Sequence, residues 1–173
     1  RLSLVGSEMC IRDRAAREAR LRGISPRSLA SLAAIAVPKR LARREVLFLE
    51  GTEGRGMYLL AEGAIQLSKT APDGRDVVIK TLQPGEVFGE VVVFEAGEYP
   101  VTAMALEPGL VLLIPRVQIG CLLVDEAFRR DFIGMLMAKQ RYLTERILSL
   151  ASRDVEERFY RFLEEQYGRR EHY

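Results

Sequence analysis

The first chemistry this chain offers is a carboxylate beside a glycine, Gly89-Glu90, within PGEVFGEVVVFEAGEYPVTAMAL at Pro84–Leu106. An unpaired charge is costly to bury. Glu90 therefore calls for a donor such as backbone N–H groups, a basic side chain or a ligand hydroxyl. Two readings compete, an effector contact and a structural carboxylate bonded to loop N–H groups, and the structural one carries more weight. Other reactive groups are sparse. A single histidine, His172, and two cysteines, Cys10 and Cys121, argue against His-based metal catalysis, nucleophilic triads, thiolate clusters and a disulfide framework. No metal site and no enzymatic activity are expected. Cys121 reads as a small, buried apolar residue.

The elements that must position Glu90 follow from hydrophobic period and turn residues. Strands are expected over Val46–Leu49, Met57–Ala61, Ala64–Ser68, Asp76–Leu82, Val101–Leu106 and Leu110–Ile114, and the apolar run around Gly89 reads as a further β segment. Glu50-Gly51, Glu62-Gly63, Asp73-Gly74, Pro84-Gly85 and Pro108-Gly109 punctuate them. Short strands with glycine turns at this spacing predict a mainly β fold with flanking helices (α+β), an antiparallel β-roll or jelly roll. Its interior is expected to accept one small ligand.

Helices flank the roll. Ala15–Leu21 is rich in helix formers, and Ser25-Pro26 opens a second helix over Pro26–Ala36. After Pro115 the period turns helical, with a short helix over Val117–Val124 and a long one over Ala127–Ala151. The long helix carries two stripes. Phe128, Phe132, Met135 and Tyr142 are expected to lie against the roll. Ile133, Leu136, Gln140, Leu143, Ile147 and Leu150 repeat at 3-4-3-4-3, the spacing of a parallel two-helix seam, which predicts a homodimer. Gln140, the polar member, reads first as a register-setting residue. Asp154 caps a following helix over Val155–Tyr167, whose apolar face lacks a partner before the chain stops.

The expected organisation has five parts. Residues 1–14 (RLSLVGSEMCIRDR) resemble translated adapter read-through, the plain alternative being a disordered arm, and are set aside from fold reasoning. Helices occupy 15–36, the β-roll with its short helix 37–124, the dimerisation helix 125–152, and the start of a further domain 153–173. Lys+Arg 26 against Asp+Glu 24 is too balanced to imply nucleic-acid binding alone. Two cysteines make a reducing cytoplasm the default, and no apolar run approaches the ~20 residues that span a bilayer, so no membrane partner is expected.

Three blocks, LFLEGTEGRGMYLLAEGAIQLSK, DGRDVVIKTLQPGEVFGE and LASRDVEERFYRFL, occur in this order between Ala30 and Gln166. Together they resemble the Crp/Fnr family of bacterial transcription regulators. The resemblance implies a cyclic-nucleotide-binding-type β-roll, a dimerisation helix, a hinge at Asp154 and a C-terminal helix-turn-helix, of which only the leading helix would be present. DNA would be reached only through that missing region. In family members that bind cyclic AMP, the Glu of the Gly-Glu pair takes a ribose hydroxyl, and an arginine about ten residues on holds the phosphate. Gly89 and Glu90 match the first half. In the second half one alignment register puts Val101 at the arginine position, followed by Thr102, and the other puts Tyr99 there. Neither supplies a cation, which disfavours cyclic AMP. Thr102 reads first as a β-branched strand residue. The resemblance also allows Gln140 to touch an effector. An iron–sulfur sensor would need four cysteines. The effector is thus a small molecule of unknown identity. The rival readings are a cyclic-nucleotide module of a kinase, channel or transporter, and a cupin-like enzyme, which the missing histidines argue against.

Overall fold

The structure is a computed structural model that describes residues 24–95 and 97–152, the side chains of 146 and 149–152 excepted. Ala15–Leu21, Asp154, Val155–Tyr167, Cys10 and His172 therefore lie outside the described residues, as does the side chain of Leu150. Helix α1 (Pro26–Ile35) leads into eight strands, β1 (Val37–Leu41), β2 (Val46–Phe48), β3 (Gly56–Glu62), β4 (Ile65–Thr70), β5 (Asp76–Leu82), β6 (Val87–Phe88), β7 (Thr102–Ala105) and β8 (Gly109–Pro115). A one-turn helix, α2 (Val91–Phe94), interrupts them between β6 and β7. After β8 come α3 (Arg116–Leu122) and the long α4 (Glu126–Ser152).

The strands form two antiparallel four-stranded sheets, ordered β1-β8-β3-β6 and β2-β7-β4-β5. This is the expected antiparallel β-roll with flanking helices. Strand β3 explains the unbroken apolar run at MYLLA, because both of its faces are covered. Tyr58 and Leu60 point between the sheets, towards Phe48, Ile65, Phe88 and Tyr99. Met57 and Leu59 point the other way, into a core built with Leu32, Ile119, Phe128, Phe132 and Met135 of the helices. Alternation sends successive side chains to opposite faces, so a strand sandwiched between layers needs apolar residues throughout. Gly56 is required where β3 meets β8: a Cβ there would lie 2.2 Å from the Ile114 carbonyl oxygen.

Helix α1 begins as its residues predict. Ser25 Oγ accepts from the Ser28 N–H at 3.3 Å, and proline occupies the first turn, where a missing N–H costs nothing. Asp131 of α4 accepts from Ser25 N at 3.1 Å, from Ser28 Oγ at 2.6 Å and from Ser25 Oγ, pinning the start of α1 to the long helix. These donors hold the Asp131 carboxyl below the ordinary aspartate value, the Ser25 hydroxyl contributing most.

Two expectations need correction. The apolar run after Gly89 is not a β segment. Val91–Phe94 form a helical turn with Val92 fully buried, because the positive φ of Gly89 (+73°) redirects the chain there. Cys121 is exposed rather than buried. On α3 the inward face is taken by Ile119, and Cys121 falls on the other side.

Candidate functional site

Glu90 sits at the start of α2 with its side chain 18% exposed. Its partner comes from neither a loop N–H nor a nearby strand but from 49 residues further along the chain. Lys139 of α4 extends its Nζ to Glu90 Oε1 at 2.5 Å and to the Val87 carbonyl oxygen at 2.9 Å. One ammonium thus ties the end of β6 and the start of α2 to the middle of the long helix. Sequence reasoning did foresee a basic side chain as one possible donor. It did not single out Lys139, although that residue fills the 3-4 spacing between Met135 and Tyr142 on the roll-facing stripe of α4, the one signal that could have found it.

Gly89 makes the turn that aims Glu90 at the helix. Its φ of +73° suits glycine, and a Cβ would stand 3.2 Å from the ring of Tyr99. That ring belongs to a stack filling the roll beside the turn. Phe48 and Tyr99 lie 3.8 Å apart by ring centroids, Tyr58 and Phe88 5.4 Å, and Phe48 and Tyr58 5.6 Å. Tyr99 is buried, and its hydroxyl donates to the Gly56 carbonyl at 2.8 Å. Burial pushes the Tyr58 phenol up, with Tyr99 adding to the shift. At this end the roll interior is occupied by aromatic side chains, and the residue at one candidate arginine position is among them.

The remaining candidates lie elsewhere. Val101 precedes β7 and is half-buried against the inter-sheet core. Thr102 alternates with the buried Ala103, so it faces away from the roll interior, and its Oγ1 accepts from the Glu50 N–H at 3.0 Å. Gln140 is exposed on α4. Of the helix stripes, Phe128, Phe132 and Met135 are buried against the roll. Tyr142 is 40% exposed, with Lys80 Nζ 4.8 Å from its ring centroid. Of the residues expected to form a seam, Ile133, Leu143 and Ile147 are exposed at 48%, 56% and 66%, whereas Leu136 packs partly onto the core. Among the described residues there is no group of three or more His, Cys, Asp or Glu able to hold a metal, and no helix is long and apolar enough to cross a membrane.

Comparison with known proteins places this geometry. A family model described as cyclic nucleotide-binding domain matches residues 38–125. Transcriptional regulator LdrP of Thermus thermophilus is 38% identical over 73 residues, 42% of this chain and 37% of that regulator. The match thus spans little more than a third of the regulator's length. Human cGMP-dependent protein kinase 2 is 28% identical over 116 residues, 66% of this chain but 14% of the kinase. Among solved structures, the Thermus thermophilus catabolite activator protein has the same fold. It superposes with a TM-score of 0.65 at 23% identity, over 76% of this chain and 62% of that one.

Proposed function

Because the chain belongs to the cyclic nucleotide-binding domain family and is homologous to Crp/Fnr transcription regulators, we propose that it is the effector-sensing and dimerisation part of such a regulator. Its work is to convert occupancy of the β-roll into a changed setting of the α4 helices, paired with those of a second copy over residues 127–151. Through the hinge at Asp154, that setting controls a helix-turn-helix that contacts DNA. One observation carries the reading. Glu90, on the family's effector-facing turn, is held by Lys139 of the dimerisation helix, so whatever engages Glu90 also acts on α4. A ligand biases such an element only through different affinities for its two arrangements.

The effector is a small molecule of unknown identity, and the residues at the turn disfavour cyclic AMP. Val101 and Tyr99 give a cyclic phosphate no cation, and Tyr99 occupies the interior with its hydroxyl already bonded. A phosphate without a charge-assisted partner forfeits the strongest contact available to it. Titration of the chain with cyclic AMP and cyclic GMP by calorimetry tests this. Affinities weaker than micromolar are expected for both. Sub-micromolar binding of either would overturn the effector assignment and favour the cyclic-nucleotide module reading.

A further inference from the structure

Beyond Met135, the last buried anchor among the described residues of α4, the helix surface opens: Leu143 and Ile147 stand exposed. Here a second ammonium, unrelated to Glu90, reaches between roll and helix. Lys80 of β5 places its Nζ 2.5 Å from Glu86 Oε1 and 4.8 Å from the centroid of the Tyr142 ring. The other Glu86 oxygen accepts from the Gln83 N–H at 2.7 Å, closing the turn between β5 and β6. One cation therefore touches the edge strand, that turn and the helix together.

The register of β5 shows why Lys80 points there. Lys80 pairs with Leu67 and Val78 with Ser68, so Ile79 is an extra residue, a bulge in the ladder. A bulge bends its strand and re-aims the side chains around it. Up to and including the bulge, Val77, Val78 and Ile79 are all exposed, at 48%, 54% and 58%. After it, Lys80 is half-buried and Leu82 buried. Among the described residues strand β5 is also the outer edge of its sheet, with one side of its backbone unpaired by other strands. An edge strand with so little apolar cover needs another attachment, and the Lys80 contact with Tyr142 provides one.

We propose that Lys80 is a positioning residue, a cationic clamp that fixes strand β5 and the turn at 83–86 against the middle of α4. The clamp is independent of the bond between Glu90 and Lys139, and it does not rest on the effector reading. A cation over an aromatic ring is attracted by the ring's negative face. The Glu86 carboxylate keeps the ammonium in place, whereas an apolar side chain of equal length would make neither contact. The position of β5 is thereby transmitted to α4 at Tyr142, one turn beyond Lys139.

Hydrogen exchange on the whole chain, read by mass spectrometry, tests the clamp. Lys80→Met and Tyr142→Leu should each speed exchange over 76–86 and 137–148 by roughly two- to five-fold, the range an exposed to half-buried cation–π contact supports. Lys80→Arg, which keeps a cation over the ring, should retain wild-type protection. The proposal is overturned if Lys80→Met and Tyr142→Leu exchange like the wild type in both segments. It is also overturned if Lys80→Arg is as fast as Lys80→Met, or if the faster exchange spreads evenly over 26–70, which would indicate general destabilisation.

Discussion

Replacing Lys139 by methionine keeps the length of the side chain and deletes the ammonium that bonds Glu90 Oε1 at 2.5 Å and the Val87 oxygen at 2.9 Å. The side chains of Glu90 and Lys139 are 18% and 37% exposed. They therefore sit between a surface pair, worth about 0–1 kcal/mol, and a buried pair, whose breaking costs about 3–5 kcal/mol. A charge-assisted hydrogen bond contributes about 1.5–3 kcal/mol. Discounted by about half for solvent access and counted for both bonds, the loss in Lys139→Met comes to roughly 2 kcal/mol. Glu90→Gln keeps an acceptor and removes the charge, so about 1 kcal/mol is expected. Both substitutions act on one contact, so the double variant should lose about 2 kcal/mol rather than the sum of about 3 kcal/mol. Urea unfolding followed by circular dichroism measures all three. Additivity within about 0.3 kcal/mol would falsify the claim that Glu90 is held by Lys139.

Three further outcomes follow from the same structure. Gly89→Ala forces a side chain into a positive φ and against the Tyr99 ring; it should cost about 1–3 kcal/mol by the same unfolding assay, and a neutral result would contradict the turn. Phe132→Ala empties a fully buried site packed against Phe94 and Phe128; a loss of about 3–5 kcal/mol is expected in thermal melts, and less than about 1 kcal/mol would show that α4 does not rest on the roll there. Asp131 has a depressed carboxyl value in the fold. Its contribution is therefore present above the ordinary aspartate value of 3.8 and lost as pH falls through the lower folded value. Asp131→Asn should be less stable at neutral pH and should show a shallower loss of stability in acid, and an unchanged acid slope would refute the assignment.

How much of this was readable from residues alone differs from element to element. Asp76–Leu82 was readable to the residue, because Asp73-Gly74 and Pro84-Gly85 bracket a run of β formers. The buried stripe Phe128, Phe132 and Met135 was legible because helical period alone picks it out. Strand β1 was harder to see. Its Pro38, Lys39 and Arg40 suit an edge position and mask the pairing with β8. At Val91–Phe94 three consecutive valines read as strand, but the turn at Gly89 and the burial of Val92 override that local preference. Glu90 was visible as a charge needing a donor. Helical period puts Lys139 on the same roll-facing stripe, but its pairing with Glu90 was not visible, since no local rule connects residues 49 apart in the chain. For the same reason the aromatic filling of the roll around Tyr99 emerged only from the packing of both sheets.

Sedimentation equilibrium of the wild type beside Ile147→Lys and Glu90→Gln tests the link between the roll and a dimerisation helix most directly. Ile147 is exposed on the proposed seam, whereas Glu90 lies on the roll and reaches α4 through Lys139. The account predicts a dimeric wild type, a monomeric Ile147→Lys because a charge enters an apolar seam, and a several-fold weaker dimer for Glu90→Gln. A monomeric wild type would contradict it, as would a Glu90→Gln dimer as tight as the wild type beside a monomeric Ile147→Lys.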